Sequence, residues 1–135
     1  MAGKQHQFIL GLLVKQMRME GFKVFFIEGN FIGQLPGHTK IPPNVFRHRP
    51  DAIGVSHTGQ VCIADAKTTS DIHSKRTREQ IKDYTEVELN GMPCEVFIGV
   101  PADAGDEVMS LLRRLSLDNY PHIHTLRVPN EIING

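Results

Sequence analysis

The feature that most constrains the fold is a hairpin-like segment that runs from Asp51 to Asp65 and carries an acid at each end. Two runs of strand-forming residues meet at His57-Thr58-Gly59, and a glycine in a left-handed position suits a three-residue hairpin loop. This loop predicts that Ser56 pairs with Gln60 and, counting back, that Asp51 pairs with Asp65. The two carboxylates are therefore expected to face each other across neighbouring strands.

The two faces of the predicted hairpin differ because side chains alternate along a strand. One face is expected to be apolar and to end in two acids and a lysine: Asp51, Ile53, Val55, Val61, Ile63, Asp65 and Lys67. The other face carries small residues, which would let a helix approach the sheet closely: Ala52, Gly54, Ser56, Cys62, Ala64 and Ala66. Close carboxylates raise each other's pKa unless a cation lies between them, and Mg²⁺ takes oxygen ligands. The hairpin therefore predicts a divalent metal site, beside which Lys67 would activate water or stabilise charge on a phosphate.

Pro50-Asp51, followed by Asp65-Ala66-Lys67, resembles the defining motif of the PD-(D/E)XK nuclease superfamily. The resemblance implies that Asp51 and Asp65 bind Mg²⁺ or Mn²⁺ together with the backbone carbonyl of Ala66. Lys67 is then expected to assist the attacking water.

A second similarity lies downstream, where Gln80 and Tyr84 match the Gln-x-x-x-Tyr pattern of many exonuclease-like and resolvase-like members. Residues four apart share one face of a helix, and Gln80 is expected to steady the lysine or a scissile phosphate. Tyr84 is expected to be half-buried, with its hydroxyl near the site and within reach of nucleic acid. Arg49, Arg76 and Arg78 are the expected phosphate contacts, which position nucleic acid without reading its sequence.

In the family that this chain resembles, the first helix often supplies a glutamate to the site. Here the corresponding stretch is Gln5-His6-Gln7. His6 or Gln7 is expected to take the place of the acid, or Glu28 at the end of the first strand does. Glu20 lies at the other end of the helix and is expected to be a solvated surface acid. With two aspartates as the firm ligands, one metal ion is expected rather than two.

The order of the predicted elements points to an α/β fold. Hydrophobic periodicity and breakers predict helices at about 4–20, 73–89 and 103–117 and strands at 23–28, 95–100 and 122–128, besides the hairpin at 51–67. Ser70 or Asp71 would cap the second helix, which would end near Asn90-Gly91. This order matches the αβββαβ core of the restriction-endonuclease-like fold, a mixed central sheet flanked by helices, with a helix-strand unit appended. A single domain covering residues 1–135 is expected.

Composition limits the classes of partner. The formal net charge of this chain of 135 residues is zero, so any phosphate-binding surface must be local. Cys62 and Cys94 lack metal-ligand spacing and are expected to be buried free thiols in a cytoplasmic protein. His122-x-His124 has no cysteine partner, so zinc is not expected. The apolar run at residues 8–14 is too short to span a bilayer.

Together these features predict a small metal-dependent nuclease that hydrolyses DNA phosphodiester bonds. A domain of this size has little surface for base readout, so structure-selective cutting of branched DNA or ends is expected rather than sequence-specific restriction. A homodimer would supply a second cut and additional basic surface. The alternative is a nuclease-like domain that has lost catalysis and serves as a nucleic-acid-binding or assembly module of a larger complex. The missing glutamate and the neutral charge favour this alternative, and metal affinity would discriminate between the two.

Overall fold

The computed structural model describes residues 4–27, 44–45, 47–89 and 91–134. In chain order its elements are α1 (Lys4–Met19), β1 (Phe22–Ile27), β2 (Ala52–Ser56), β3 (Val61–Ala66), α2 (Lys75–Thr85), β4 (Glu88–Leu89), β5 (Met92–Pro93), β6 (Glu95–Pro101), a short 3-10 turn (Ala102–Ala104), α3 (Gly105–Arg114), β7 (Ile123–Val128) and α4 (Asn130–Asn134). All the predicted helices and strands are present in the predicted order, and β4, β5 and α4 are additional.

A mixed five-stranded sheet, in the order β1-β2-β3-β6-β7, forms the centre of the structure. The first three strands pair antiparallel, and β6 and β7 join them in parallel. Parallel neighbours need crossover connections, and α2 and α3 supply them. These two helices pack on one face of the sheet, while α1 and α4 pack on the other.

The hairpin has the predicted register. Ala52 lies opposite Ala64, so the ladder brings Asp51 and Asp65 together at its open end. The Ser56 amide donates to the Gln60 carbonyl at 2.8 Å. The loop ends at Gly59, whose φ of 89° is the left-handed conformation that a glycine adopts without strain.

The small-residue face of the hairpin lies against a helix, as predicted, and that helix is α1. Ala52, Cys62, Ala64 and Ala66 are buried there with the apolar side chains of that helix. The same close approach continues onto β6, where a Cβ at Gly99 would lie 2.7 Å from Ile9. Short side chains on the central strands therefore set the distance between α1 and the sheet.

Gly99→Ala is expected to destabilise the protein by about 1–3 kcal/mol, because overpacking a close-packed core forces side chains or backbone to move. The new methyl group would meet Ile9 at 2.7 Å and Leu13 at 2.9 Å. Thermal unfolding followed by circular dichroism measures the effect. Gly105→Ala is the matched control, because the atoms nearest to its Cβ would belong to the guanidinium of Arg127, an exposed group at the end of a flexible side chain. Equal melting temperatures for the two variants would contradict the close packing described here.

The second helix begins later and ends earlier than predicted. Its N-cap is Ser74, whose hydroxyl accepts from the Thr77 amide, instead of Ser70 or Asp71. Asp71 is engaged in the preceding turn, where its carboxylate accepts from the Thr68 amide and hydroxyl. The helix ends before a small hairpin formed by β4 and β5. Gly91, with φ 77°, belongs to the turn of this hairpin and, contrary to the prediction, does not end the helix.

The third helix also differs from the prediction, and the C-terminal tail forms an additional helix. The segment predicted as one helix at 103–117 is a 3-10 turn followed by the shorter α3. The chain after β7 forms α4, whose Ile133 packs against the core beside α1. Both cysteines are buried free thiols, as predicted. Within the described ranges, no helix combines the length and the apolar character needed to cross a membrane.

Candidate active site

Each of the two aspartates of the hairpin accepts a hydrogen bond from a backbone amide on the other side of the hairpin. Asp65 Oδ1 accepts from the Asp51 amide at 2.8 Å, and Asp51 Oδ2 accepts from the Ala66 amide at 2.8 Å. This reciprocal pairing fixes one oxygen of each carboxylate at the point where β2 begins and β3 ends. The other oxygens, Asp51 Oδ1 and Asp65 Oδ2, take part in no hydrogen bond with a described residue.

Asp65 is buried, with 4% of its surface exposed. Its Oδ2 has no hydrogen-bond partner in the described part of the chain and lies 3.8 Å from Lys67 Nζ. Burial, and then the negative charge of Asp51, raise the pKa of Asp65 to about 7 against the opposing effect of Lys67. The predicted repulsion between the two carboxylates therefore contributes to the raised pKa of Asp65.

The donor set fits a hard divalent cation. Each aspartate keeps one oxygen outside its hydrogen bonds, and one of these is a buried atom without a partner among the described residues. Mg²⁺ and Mn²⁺ accept such oxygens and fill the remaining positions with water and substrate. The described residues contain no group of three or more His, Cys, Asp or Glu side chains arranged to bind a metal. Glu28, the third predicted acid, lies outside the described residues.

Lys67 follows β3 and is held from two sides. Its amide donates to the Gly99 carbonyl of β6 at 2.8 Å. Its ammonium donates to Gln80 Oε1, as predicted. Gln80 lies on the face of α2 that packs against the sheet and is 3% exposed. The amide oxygen therefore fixes the lysine beside the two acids.

Tyr84 lies one turn beyond Gln80 but does not reach the surface. Its side chain is 1% exposed and packs in the core between α2 and the sheet, edge-on to the ring of His48. Burial, and then the charges of Asp65 and Asp51, raise the pKa of its phenol. The predicted half-burial of Tyr84 and its predicted contact with nucleic acid are thus wrong, because a side chain that is 1% exposed has no accessible part of the ring.

His6 is the first-helix residue that reaches the acids. Its Nε2 lies 2.9 Å from Asp51 Oδ2. The hydrogen bond to Asp51 raises the pKa of His6, in opposition to burial, which lowers it. Gln7 makes no contact with either aspartate among the hydrogen bonds of the described residues. Of the alternatives for the missing glutamate, the structure places His6 at the site.

A cleft of about 670 Å³ opens in front of these groups. Its lining is mostly polar: His6, Asn44, Arg47, Arg49, Asp51, Asp65, Ala66, Lys67, Thr68, Asp71, Ser74, Arg76, Thr77 and Gln80. Arg49 and Arg76 are exposed and form no ion pair with a described residue, whereas Arg78 does not line the cleft. Two of the three predicted phosphate contacts therefore lie where the acids are.

An anchor that the sequence did not indicate fixes one side of the cleft. Asp83 of α2 accepts from Arg47 at 3.0 Å and bonds His48 Nε2 at 2.7 Å. Hydrogen bonds from these two residues lower the pKa of Asp83 despite the opposing effect of burial, which is the largest single influence. Arg47 and His48, which precede the hairpin, therefore have a structural role. Since the partners lie 35 and 36 residues apart, no local pattern could reveal them.

The mixed sheet with helices on both faces is a restriction-endonuclease-like fold. Asp51, Asp65 and Lys67 lie together at the open end of its hairpin. Among solved structures it is similar to the crystal structure of a repair endonuclease from Pyrococcus abyssi, with a TM-score of 0.53 and 14% sequence identity. The match covers 96% of this chain and 48% of that chain, so this chain spans about half the length of its structural neighbour. No protein-family model and no curated protein matches the sequence. The similarity confirms the predicted fold.

Proposed function

We propose that the protein is a metal-dependent nuclease of the PD-(D/E)XK type that hydrolyses DNA phosphodiester bonds. The observation that carries the proposal is the convergence of Asp51, Asp65 and a Gln80-bound Lys67 in one cleft. The fold supports it as well, since a protein described as a repair endonuclease has a similar architecture. Asp51, Asp65 and the Ala66 carbonyl would hold Mg²⁺ or Mn²⁺, which would polarise a phosphoryl oxygen and lower the pKa of water.

Other residues of the cleft would orient the attacking water and bind the phosphates. The ammonium of Lys67, fixed by Gln80, lies next to Asp65 and can orient the attacking water or stabilise charge on the scissile phosphate. Arg49 and Arg76 line the same cleft and would hold neighbouring phosphates of the strand. Burial of Asp65 keeps bulk water away, which strengthens these charge interactions.

The cleft supports selection by structure and not by base sequence. Its lining includes Arg47, Arg49, Arg76 and Lys67, which could meet phosphates, and a zero net charge means that any phosphate-binding surface is local. Branched DNA and DNA ends expose strands that can enter such a cleft. We propose these as substrates, with a homodimer as the form that would make paired cuts.

The test is cleavage of end-labelled linear duplex, single strand, flap and four-way junction in Mg²⁺, in Mn²⁺ and in EDTA. We expect products with either metal, none in EDTA, and the fastest cutting on a branched or end-containing substrate. The same panel made of RNA tests whether the protein cuts DNA in preference to RNA. Cleavage that persists in EDTA, or an absence of product with both metals, would overturn the proposal.

A binding or assembly module remains the second candidate, because a histidine occupies the position where the resembled family often has an acid. In that case the protein would bind the labelled panel without cutting it, with an affinity that falls steeply with salt. Millimolar Mn²⁺ would then leave the melting temperature unchanged, whereas a specific ion raises it by mass action.

A further inference from the structure

Arg47 lines the cleft, and acids of α2 hold its guanidinium from one side. Its Nε donates to Asp83 Oδ2 at 3.0 Å, and its Nη2 lies 3.7 Å from Glu79 Oε2. Its Nη1 forms no hydrogen bond or ion pair with a residue in the described part of the chain. The side chain is 61% exposed, so these remaining donors are accessible to a ligand in the cleft.

The turn that carries Arg47 is also anchored to α2. Val45 and His48 exchange two backbone hydrogen bonds, of 2.6 Å and 3.0 Å. His48 is 6% exposed, and its Nε2 lies 2.7 Å from the same Asp83 oxygen that accepts from Arg47. An isolated surface ion pair contributes little, because two long side chains must be ordered to form it. Here one carboxylate, 18% exposed, joins two residues of one turn and so restrains the guanidinium.

The donors left on Arg47 suit a phosphate. A guanidinium presents five N–H donors in a planar fork, so one side can bind a carboxylate while the other donors bind a phosphate. Arg49 and Arg76 line the same cleft, so an anion there meets several cations. Glu79 and Asp83 offset the positive charge of Arg47. Its contribution to binding must therefore depend on the direction of its donors as well as on its charge.

We propose that Arg47 binds a backbone phosphate of the nucleic acid in the cleft, and that Asp83 is a positioning residue that holds the guanidinium in the orientation for this contact. The inference rests on the proposed function, since it takes a nucleic-acid strand as the occupant of the cleft. It makes α2 the support of two groups, because Gln80 of the same helix holds Lys67. The helix thereby fixes the spacing between the lysine and the phosphate that Arg47 binds.

The first test is binding of a labelled DNA flap to the full chain in EDTA, measured by fluorescence anisotropy at several salt concentrations. Arg47→Ala should bind about 10–100-fold more weakly, the loss expected for hydrogen bonds to a charged group. It should also reduce the slope of log Kd against log salt by about 1, which a purely structural role would not do. Arg47→Lys should recover only part of the affinity, because an ammonium lacks the planar fork. Arg113→Ala, at an exposed position in the last turn of α3, is the matched control.

Substitutions of Asp83 separate positioning from charge, because the two roles predict changes of opposite sign. If Asp83 positions Arg47, Asp83→Ala should weaken binding although it removes a negative charge. Asp83→Asn keeps an oxygen acceptor and should bind more tightly than Asp83→Ala but no more tightly than the wild type. If Asp83 only offsets the charge of Arg47, both variants should bind more tightly than the wild type. Melting temperatures show whether each variant is folded, and Asp83→Asn alone decides the sign if the alanine variant is not.

Single-turnover cleavage of the same flap in Mn²⁺ keeps this inference separate from the proposed function. Arg47→Ala should raise the protein concentration for half-maximal cleavage by about the factor seen in binding. Unchanged binding in Arg47→Ala, full affinity in Arg47→Lys, or tighter binding in either Asp83 variant would each overturn the inference. A wild-type chain that binds the flap without cutting it would overturn the nuclease, while the binding data would still decide the roles of Arg47 and Asp83. A wild-type chain that neither binds nor cuts would overturn both.

Discussion

Asp65→Asn is expected to abolish metal-dependent cleavage and, in the same protein, to raise the melting temperature measured in EDTA. Asparagine keeps the oxygen that accepts from the Asp51 amide but removes the charge that would bind the cation. The buried carboxylate is costly in the metal-free fold, because burial and Asp51 both oppose its ionisation. The gain in stability should be on the order of 1–4 kcal/mol at neutral pH, given about 1.4 kcal/mol per pKa unit.

The pH dependence has a definite sign. A carboxyl whose pKa is higher in the folded than in the unfolded state binds more protons when folded, so stability falls as pH rises. For Asp65 this loss begins near its ordinary pKa of 3.8 and is complete above about 7. Wild type and Asp65→Asn should therefore have similar melting temperatures below pH 4 and diverge up to about pH 7.

Thermal melts between pH 3.5 and 8, with and without Mn²⁺, measure both effects. The melting temperatures of the wild type and Asp65→Asn should differ by roughly 2–8 °C for each kcal/mol of difference in the free energy of unfolding. Mn²⁺ should raise the melting temperature of the wild type and leave that of the variant unchanged. Asp118→Asn, at an exposed position, is the control and should behave as the wild type does. A variant that is less stable than the wild type at pH 7.5 would contradict the assigned cost of Asp65.

Lys67→Met is expected to lower the cleavage rate by about 10²–10⁴-fold, the usual range for a group that orients or deprotonates an attacking water. The side chain of Lys67 is 12% exposed. Methionine retains its apolar stem and removes only the charge and the hydrogen-bond donor to Gln80. Mn²⁺ binding should be retained, because the lysine is not a ligand. Single-turnover cleavage at saturating Mn²⁺ measures the rate of the chemical step.

Two further variants show whether the lysine acts through its position. Gln80→Ala should have a smaller effect than Lys67→Met, since the ammonium would remain but lose its fixed acceptor. Lys75→Met, an exposed lysine in the first turn of α2, is the matched control and should cut at the wild-type rate. Equal rates for wild type and Lys67→Met would remove Lys67 from the mechanism.

Local patterns were sufficient for the part of the site that lies on one hairpin. The three-residue loop ending at Gly59 sets the register, and the register alone brings Asp51 opposite Asp65. The alternation of small and apolar residues likewise predicts that one face accepts a helix, and the structure shows that this helix is α1. These features could be predicted because each depends on residues close together in the sequence.

The other features were predicted wrongly or left open, either because several nearby side chains compete for one role or because the contact joins distant residues. Ser70, Ser74 and Asp71 all have capping side chains, and the choice of Ser74 follows from the turn that Asp71 closes with Thr68. Tyr84 is buried because the core between α2 and the sheet needs a large ring, which a motif spaced along a helix face does not reveal. The His6 contact joins residues 45 apart, so the resemblance could only name it as one of several alternatives.

The buried cysteines have a practical consequence for thiol chemistry. Cys62 and Cys94 are the only cysteines in the sequence, both are 2% exposed or less, and burial raises the pKa of each thiol. Thiolates are the reactive species, so both should resist alkylating reagents in the folded state. A cysteine introduced at exposed Ser70, between two residues that line the cleft, would then be the one position that reacts. A fluorophore or cross-linker could be attached beside the cleft without replacing either native cysteine.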